Sequence, residues 1–126
     1  MLKREITAID NSSAANPTKV LKIKNARRIS ALFTRANHSA GSGVFKIQGS
    51  IDGSTYIDLP LVALAANTNT QTLQRDLSVT LSANGSEMRV IEEMFISALT
   101  HIKVDVTRNT DGNHTVKLVI EDELED

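Results

Sequence analysis

Three histidines, His38, His101 and His114, are the residues best suited to bind a transition metal or move a proton near neutral pH. No two of them have the helical spacing of a metal-ligand pair. His38 falls in an expected loop, His101 opens an expected strand, and His114 follows an expected turn. A shared metal site would need them to meet in space or around a trimer axis; taken singly, they read as surface imidazoles. Serines are plentiful, but no Gly-x-Ser-x-Gly occurs, and no serine stands at a strand-to-helix elbow. Glu92 and Glu93 are adjacent, and neighbours on a strand face opposite ways, so they do not form a glycosidase pair. Asp111-Gly112-Asn113 places oxygen ligands around a tight turn, as calcium loops do, yet a hairpin turn accounts for it. No glycine-rich phosphate loop precedes a helix. The sequence therefore leads us to expect no catalytic residues, no cofactor and no metal, and a protein that is not an enzyme.

Composition narrows the field further. The 126 residues fit one domain, long enough to bury a core without staples. There is no cysteine, which excludes disulfides and thiolate metal sites. Net charge is −1, which argues against a polyanion binder. The aromatics are Phe33, Phe45, Tyr56 and Phe95, too few for a sugar-stacking or single-strand nucleic-acid platform. No apolar run approaches the length of a membrane span, and Met1-Leu2-Lys3-Arg4-Glu5 does not lead into a signal-peptide core. A soluble chain made in the cytoplasm is expected. Four Asn-x-Ser/Thr sequons, at Asn11, Asn37, Asn84 and Asn113, then read as loop composition.

These residues must be positioned by strands. Leu21 and Ile23 alternate with Lys22 and Lys24. Ile29, Ala31 and Phe33 share one face, as do Phe45, Ile47 and Ile51. Leu77, Val79 and Leu81 alternate with Ser78, Thr80 and Ser82. Ile102, Val104 and Val106 alternate with Lys103, Asp105 and Thr107, and Val116, Leu118 and Ile120 with Thr115 and Lys117. Period two puts one set of side chains on each face of a pleat, so these are half-buried strands. Short segments near 56–64 and 87–96 add two more. Asp52-Gly53, Asn84-Gly85 and Asp111-Gly112 sit between such runs and suit hairpin turns. The expected fold is all-β, an antiparallel β-sandwich (jelly-roll or Ig-like) of about seven to nine strands, with at most one short helical turn. Its core is expected from Ile29, Phe33, Phe45, Ile47, Val79, Leu81, Val104, Val106, Leu118 and Ile120. Residues 61–66 read as a helical turn or a buried crossover. Residues 91–99 have helical spacing over two turns, but strand and turn fit the surroundings better.

Charge is uneven. Residues 1–36 hold eight bases, Lys3, Arg4, Lys19, Lys22, Lys24, Arg27, Arg28 and Arg35, against Glu5 and Asp10. Residues 121–126 hold five carboxylates and no base. This reads as a solvated face and a frayed tail, or as attraction between subunits or to a host surface. Residues 10–18 are small and polar and read as a loop, so residues 1–9 are an arm or an edge strand. The expected organisation is an N-terminal arm and linker (1–18), a β-sandwich (19–121) and an acidic tail (122–126).

One stretch carries a resemblance. Asn25–Phe33 opens a strand. Gly43–Ser50 leads into Ile51-Asp52-Gly53-Ser54-Thr55-Tyr56, then Ile57-Asp58-Leu59-Pro60. Later come Thr100–Arg108, a glycine turn and His114–Glu121. This order resembles small β-sandwich structural proteins of tailed bacteriophages, of the head-decoration or auxiliary-capsid type, over about residues 26–121. In them a strand, Ser-x-Asp-Gly, aromatic, strand hairpin precedes a late basic strand and a closing strand. The hairpin also has a plain basis, Asp52-Gly53 making the turn and Tyr56 covering it.

The resemblance implies a non-enzymatic virion protein that bridges neighbouring capsid subunits and stabilises the shell. Its alternatives are a tail or baseplate β-module and a carbohydrate-binding module. The implied partners are the major capsid protein or other virion proteins, and further copies of the chain, with a trimer favoured; no nucleic acid and no membrane are expected. It would be located in the virion after synthesis in the host bacterial cytoplasm. Expected partner-binding residues lie in the N-terminal segment: Lys3, Arg4, Ile6 and Ile9.

Overall fold

The structure, a computed structural model, describes residues 2–65 and 72–122. The described residues form eleven strands: β1 (Leu2–Ser12), β2 (Thr18–Lys22), β3 (Ala26–Ala36), β4 (Gly41–Ser50), β5 (Ile57–Asp58), β6 (Leu61–Ala65), β7 (Thr72–Asp76), β8 (Val79–Leu81), β9 (Gly85–Ile91), β10 (His101–Thr110) and β11 (Asn113–Asp122). One 3-10 turn spans Glu93–Phe95. All pairings are antiparallel, in a six-stranded sheet β1-β11-β3-β9-β6-β7 and a five-stranded sheet β2-β10-β4-β5 with β8 also on β4. The expected antiparallel β-sandwich is what forms. The strand count exceeds the expectation because the segment near 56–64 forms two strands, β5 and β6, and because β1 and β7 add two more, while the strand expected around Leu77–Leu81 is β8, shortened to three residues. Residues 61–65, which admitted a helical turn, are strand β6. Residues 91–99 finish β9 and then make the 3-10 turn.

Chain order explains the layers. β1, β3 and β11 belong to one sheet and β2, β4 and β10 to the other, so three successive pairs each cross between sheets. Register puts Ser12, Ala36, Gly85 and the β10–β11 turn at the same end of the sandwich. The alternating apolar residues of both sheets meet between the layers. Ile29, Phe33, Phe45, Ile47, Val79, Val104, Val106, Leu118 and Ile120 are all buried, and Leu81 packs against them partly buried. Phe33 and Phe45 touch across the sandwich with centroids 5.0 Å apart. Each such side chain removed from water contributes about 1.5–3 kcal/mol.

The N-terminal segment takes the second of its two expected forms, an edge strand. Leu2 to Thr7 pair continuously with Asp122 to Lys117, and an irregularity at Ala8 brings Ile9 opposite Val116. The polar stretch that follows is also tied to the domain. The Arg108 amide donates to the Ala15 carbonyl at 2.8 Å and the Val106 amide to that of Pro17 at 3.1 Å. At the other end of the chain, Asp122 closes β11, while residues 123–126 of the acidic tail lie outside the described residues.

Candidate functional site

The most concentrated polar chemistry lies at the end of the sandwich where the loops gather. Arg35 continues the inward face of Ile29, Ala31 and Phe33, and its side chain is wholly buried. His114 likewise continues the face of Val116, Leu118 and Ile120 and is 0% exposed. Arg35 Nη1 lies 2.8 Å from His114 Nε2 and donates to the Asp111 carbonyl at 2.8 Å. Nη2 donates to the Ala40 carbonyl at 2.9 Å and to Asp111 Oδ1 at 3.2 Å, and lies 3.0 Å from His38 Nδ1. Nε donates to the same His38 nitrogen at 3.3 Å. The Asp111 carboxylate also accepts the Ser39 and Ala40 amides, and Asn84 Oδ1 accepts the His38 amide. One guanidinium thus ties the 37–40 loop to the 111–112 turn, with Asn84 joining a third loop.

Electrostatics follow from this packing. Burial, and then the neighbouring charges of Arg35 and Arg108, hold the His114 imidazole below its usual pKa. The Asp111 carboxyl is held below the usual range chiefly by the Ser39 amide, with Ala40 and the charges of Arg35 and His38 adding to it against burial. Every face of the Arg35 fork is spent on the chain itself. The cluster is built to hold loops.

Of the three imidazoles read as surface groups, His114 is therefore buried, and His38 and His101 are half-buried. His38 and His114 meet only through Arg35, while His101 is at the opposite end beside Ser50. Among the described residues no group of three His, Asp or Glu side chains is arranged to hold a metal. Asp111-Gly112 is the hairpin turn, its carboxylate given to Arg35 and the 39–40 amides. The Ser-x-Asp-Gly hairpin is equally self-contained. Ser50 Oγ donates to Asp52 and accepts the Gly53 amide at 2.8 Å, and Asp52 Oδ1 accepts the Ser54 and Thr55 amides. Tyr56 lies under the Lys103 ammonium, 4.5 Å from the ring centre.

The expected partner-binding residues divide by strand face. Ile9 is buried in the core and Ile6 packs against it, so both are occupied within this chain. Arg4 pairs with Asp122 at 2.7 Å. Lys3 is exposed. Among the described residues, the basic N-terminal part and the start of the acidic segment meet within one copy: Arg4 with Asp122 and, at 3.7 Å, Arg28 with Glu121.

Two features escaped the sequence reading, and parity could have found one of them. Arg35 and His114 share the odd or even phase of core residues on their own strands. The other feature is apolar. Leu32, Met88 and Val90 lie on the outer face of the six-stranded sheet, 38%, 63% and 38% exposed. A depression of about 510 Å³ lies beside Leu32 and Met88, bordered by Glu5, Ser30 and Lys117.

No protein-family model and no curated protein sequence matches the chain. Its fold is similar to that in the crystal structure of the SPBc2 prophage-derived protein YomS, with a TM-score of 0.59 over 95% of each chain. The two sequences are 12% identical, so the likeness is one of fold.

Proposed function

We propose that this chain is a non-enzymatic structural protein of a tailed-phage particle, seated on the capsid as an auxiliary protein that bridges neighbouring subunits. The observation that carries this reading is the fold shared with a prophage-derived protein over 95% of both chains. Two features of the molecule agree with it. Its richest polar cluster fixes loops instead of presenting free groups, and its apolar excess lies on a sheet surface, where a contact would be made. The mechanism is added interface: each copy contributes contacts that the shell lacks alone. The test is to purify particles from the phage or lysogen whose genome carries this gene, quantify the chain by mass spectrometry and locate it by immunogold electron microscopy. The expected result is a copy number comparable to that of the major capsid protein, with label on the head. Label confined to the tail would replace the capsid role with a tail or baseplate one. Absence from purified particles would overturn the structural reading altogether.

A further inference from the structure

The two sheets differ in what they show on their outer faces. On the five-stranded sheet, register aligns Thr18, Asp105 and Lys46 in one outer row and Val20, Lys103 and Gln48 in the next, a mostly polar surface with one exposed valine at its edge. The six-stranded sheet breaks that pattern. One outer row runs Thr7, Lys117, Leu32, Met88 across β1, β11, β3 and β9. The adjoining row runs Glu5, Val119, Ser30, Val90. Apolar side chains fill the middle strands, and opposite charges stand at one flank. Ser30 is small among larger neighbours, so the depression opens there with Met88 at its border. Glu5 and Lys117 are both exposed, and neither is in an ion pair among the described residues.

We infer that this face binds a second copy of the chain, about a twofold axis that crosses the strands between these two rows. The argument is self-complementarity, which an isologous contact requires. Such an axis exchanges the rows and lays each strand over its own counterpart. Met88 then covers the partner's Val90 and Leu32 enters the depression at the partner's Ser30, and the reverse happens at once. Glu5 comes beside the partner's Lys117, twice per dimer. A single-signed flank would repel its own copy; this one attracts it. The size is adequate. With the outer rows on either side included, Thr115-Thr34-Ser86 and Lys3-Glu121-Arg28, four strands about 4.8 Å apart and four rows about 7 Å apart give roughly 500 Å² per copy, or about 1,000 Å² in all, the lower end of specific interfaces. The contact is independent of where the protein sits in a particle. It closes at two copies, so a trimer would need a different surface.

Sedimentation equilibrium of the intact chain tests this over about 10–500 µM, a range wide enough to reveal a weak dimer, since buried area alone does not set Kd. The expected mass is about twice 13.7 kDa. Met88→Lys and Glu5→Lys should each weaken dimerisation by about tenfold or more, the first by burying a charge and the second by opposing Lys117. Circular dichroism should be unchanged, since both side chains are exposed. The double exchange Glu5→Lys with Lys117→Glu should restore the dimer. A monomeric parent overturns the proposal and leaves the face to a different partner. So does a dimer or trimer that both single variants leave intact. Failure of the double exchange to restore association overturns the proposed twofold register.

Discussion

Nε2 of His114 lies 2.8 Å from Nη1 of Arg35, with both side chains buried between the sheets. A guanidinium only donates, so His114 accepts at Nε2 and carries its proton on Nδ1. The pair thereby fixes a neutral ring. It also dictates glycine on the facing strand, because a Cβ on Gly43 would collide with that ring.

Removing the guanidinium should be costly. Arg35→Met would leave the ring and carbonyls at this end without their donor, and the Asp111 carboxylate with only amide partners. Breaking a buried charged network typically costs about 3–5 kcal/mol, and the partial exposure of Asp111 places the expectation near the lower figure, about 3 kcal/mol. Arg35→Lys should recover little, since a point charge cannot span the same forked set of acceptors. Urea unfolding measures both. If each variant stays within about 1 kcal/mol of the parent, the loops are held by something else.

Acid should loosen the same end. The His114 pKa is depressed in the folded protein, so the unfolded chain, with an ordinary value of 6.5, takes up its proton first as pH falls. Stability is therefore full above about 6.5 and declines from there toward the depressed folded value. The Asp111 carboxyl, also depressed, removes more as pH falls below 3.8. His114→Gln keeps an acceptor for Arg35 but cannot titrate. Its unfolding free energy should be flat over the part of the range that His114 governs, just below pH 6.5, and should still fall with Asp111 below 3.8. Parallel pH profiles for parent and variant would assign the acid sensitivity to other groups.

Gly43→Ala tests the packing without touching a charge. The added methyl must displace the His114 ring, which packs edge-on to Phe45 with centroids 5.6 Å apart. Overpacking of this kind costs about 1–3 kcal/mol. A thermal unfolding midpoint unchanged from the parent would show that the ring can shift freely.

Much of the fold was legible because its long strands keep a strict alternation. Ile29 to Phe33, Phe45 to Ile47, Ile102 to Val106 and Val116 to Ile120 bury the phase that their pattern indicates. The same pattern held Arg35 and His114 on the inward phase, yet residue type suggested solvent, and only partners brought from other loops allow such groups to be buried. Strand β9 was less legible. Met88 and Val90 are apolar but face out, while Arg89 faces in and donates to the Leu61 carbonyl at 3.0 Å and to Asp76 at 2.9 Å. Nothing within residues 85–91 announces those partners, which lie on β6 and β7. The outer apolar face was hidden for a related reason. Leu32, Met88 and Val90 come from two strands distant in sequence, and only the register puts them side by side.

The N-terminal strand gives the last prediction. A free arm could be deleted without consequence for the fold. Here residues 2–7 and Ile9 pair with β11, and Ile9 is 5% exposed. Ile9→Ala alone should cost about 2–5 kcal/mol, as other large-to-small core changes do. Deleting residues 1–9 removes that burial, the Arg4–Asp122 pair and most of the ladder on one side of β11. It also turns a ten-residue central strand into an unpaired edge, which is a template for intermolecular pairing. The deletion variant should therefore unfold at lower temperature and lower urea than the parent. It should also aggregate on standing, as light scattering would reveal. A deletion variant that remains monodisperse with an unchanged melting temperature would show that β1 adds nothing to the sandwich and is held there only loosely.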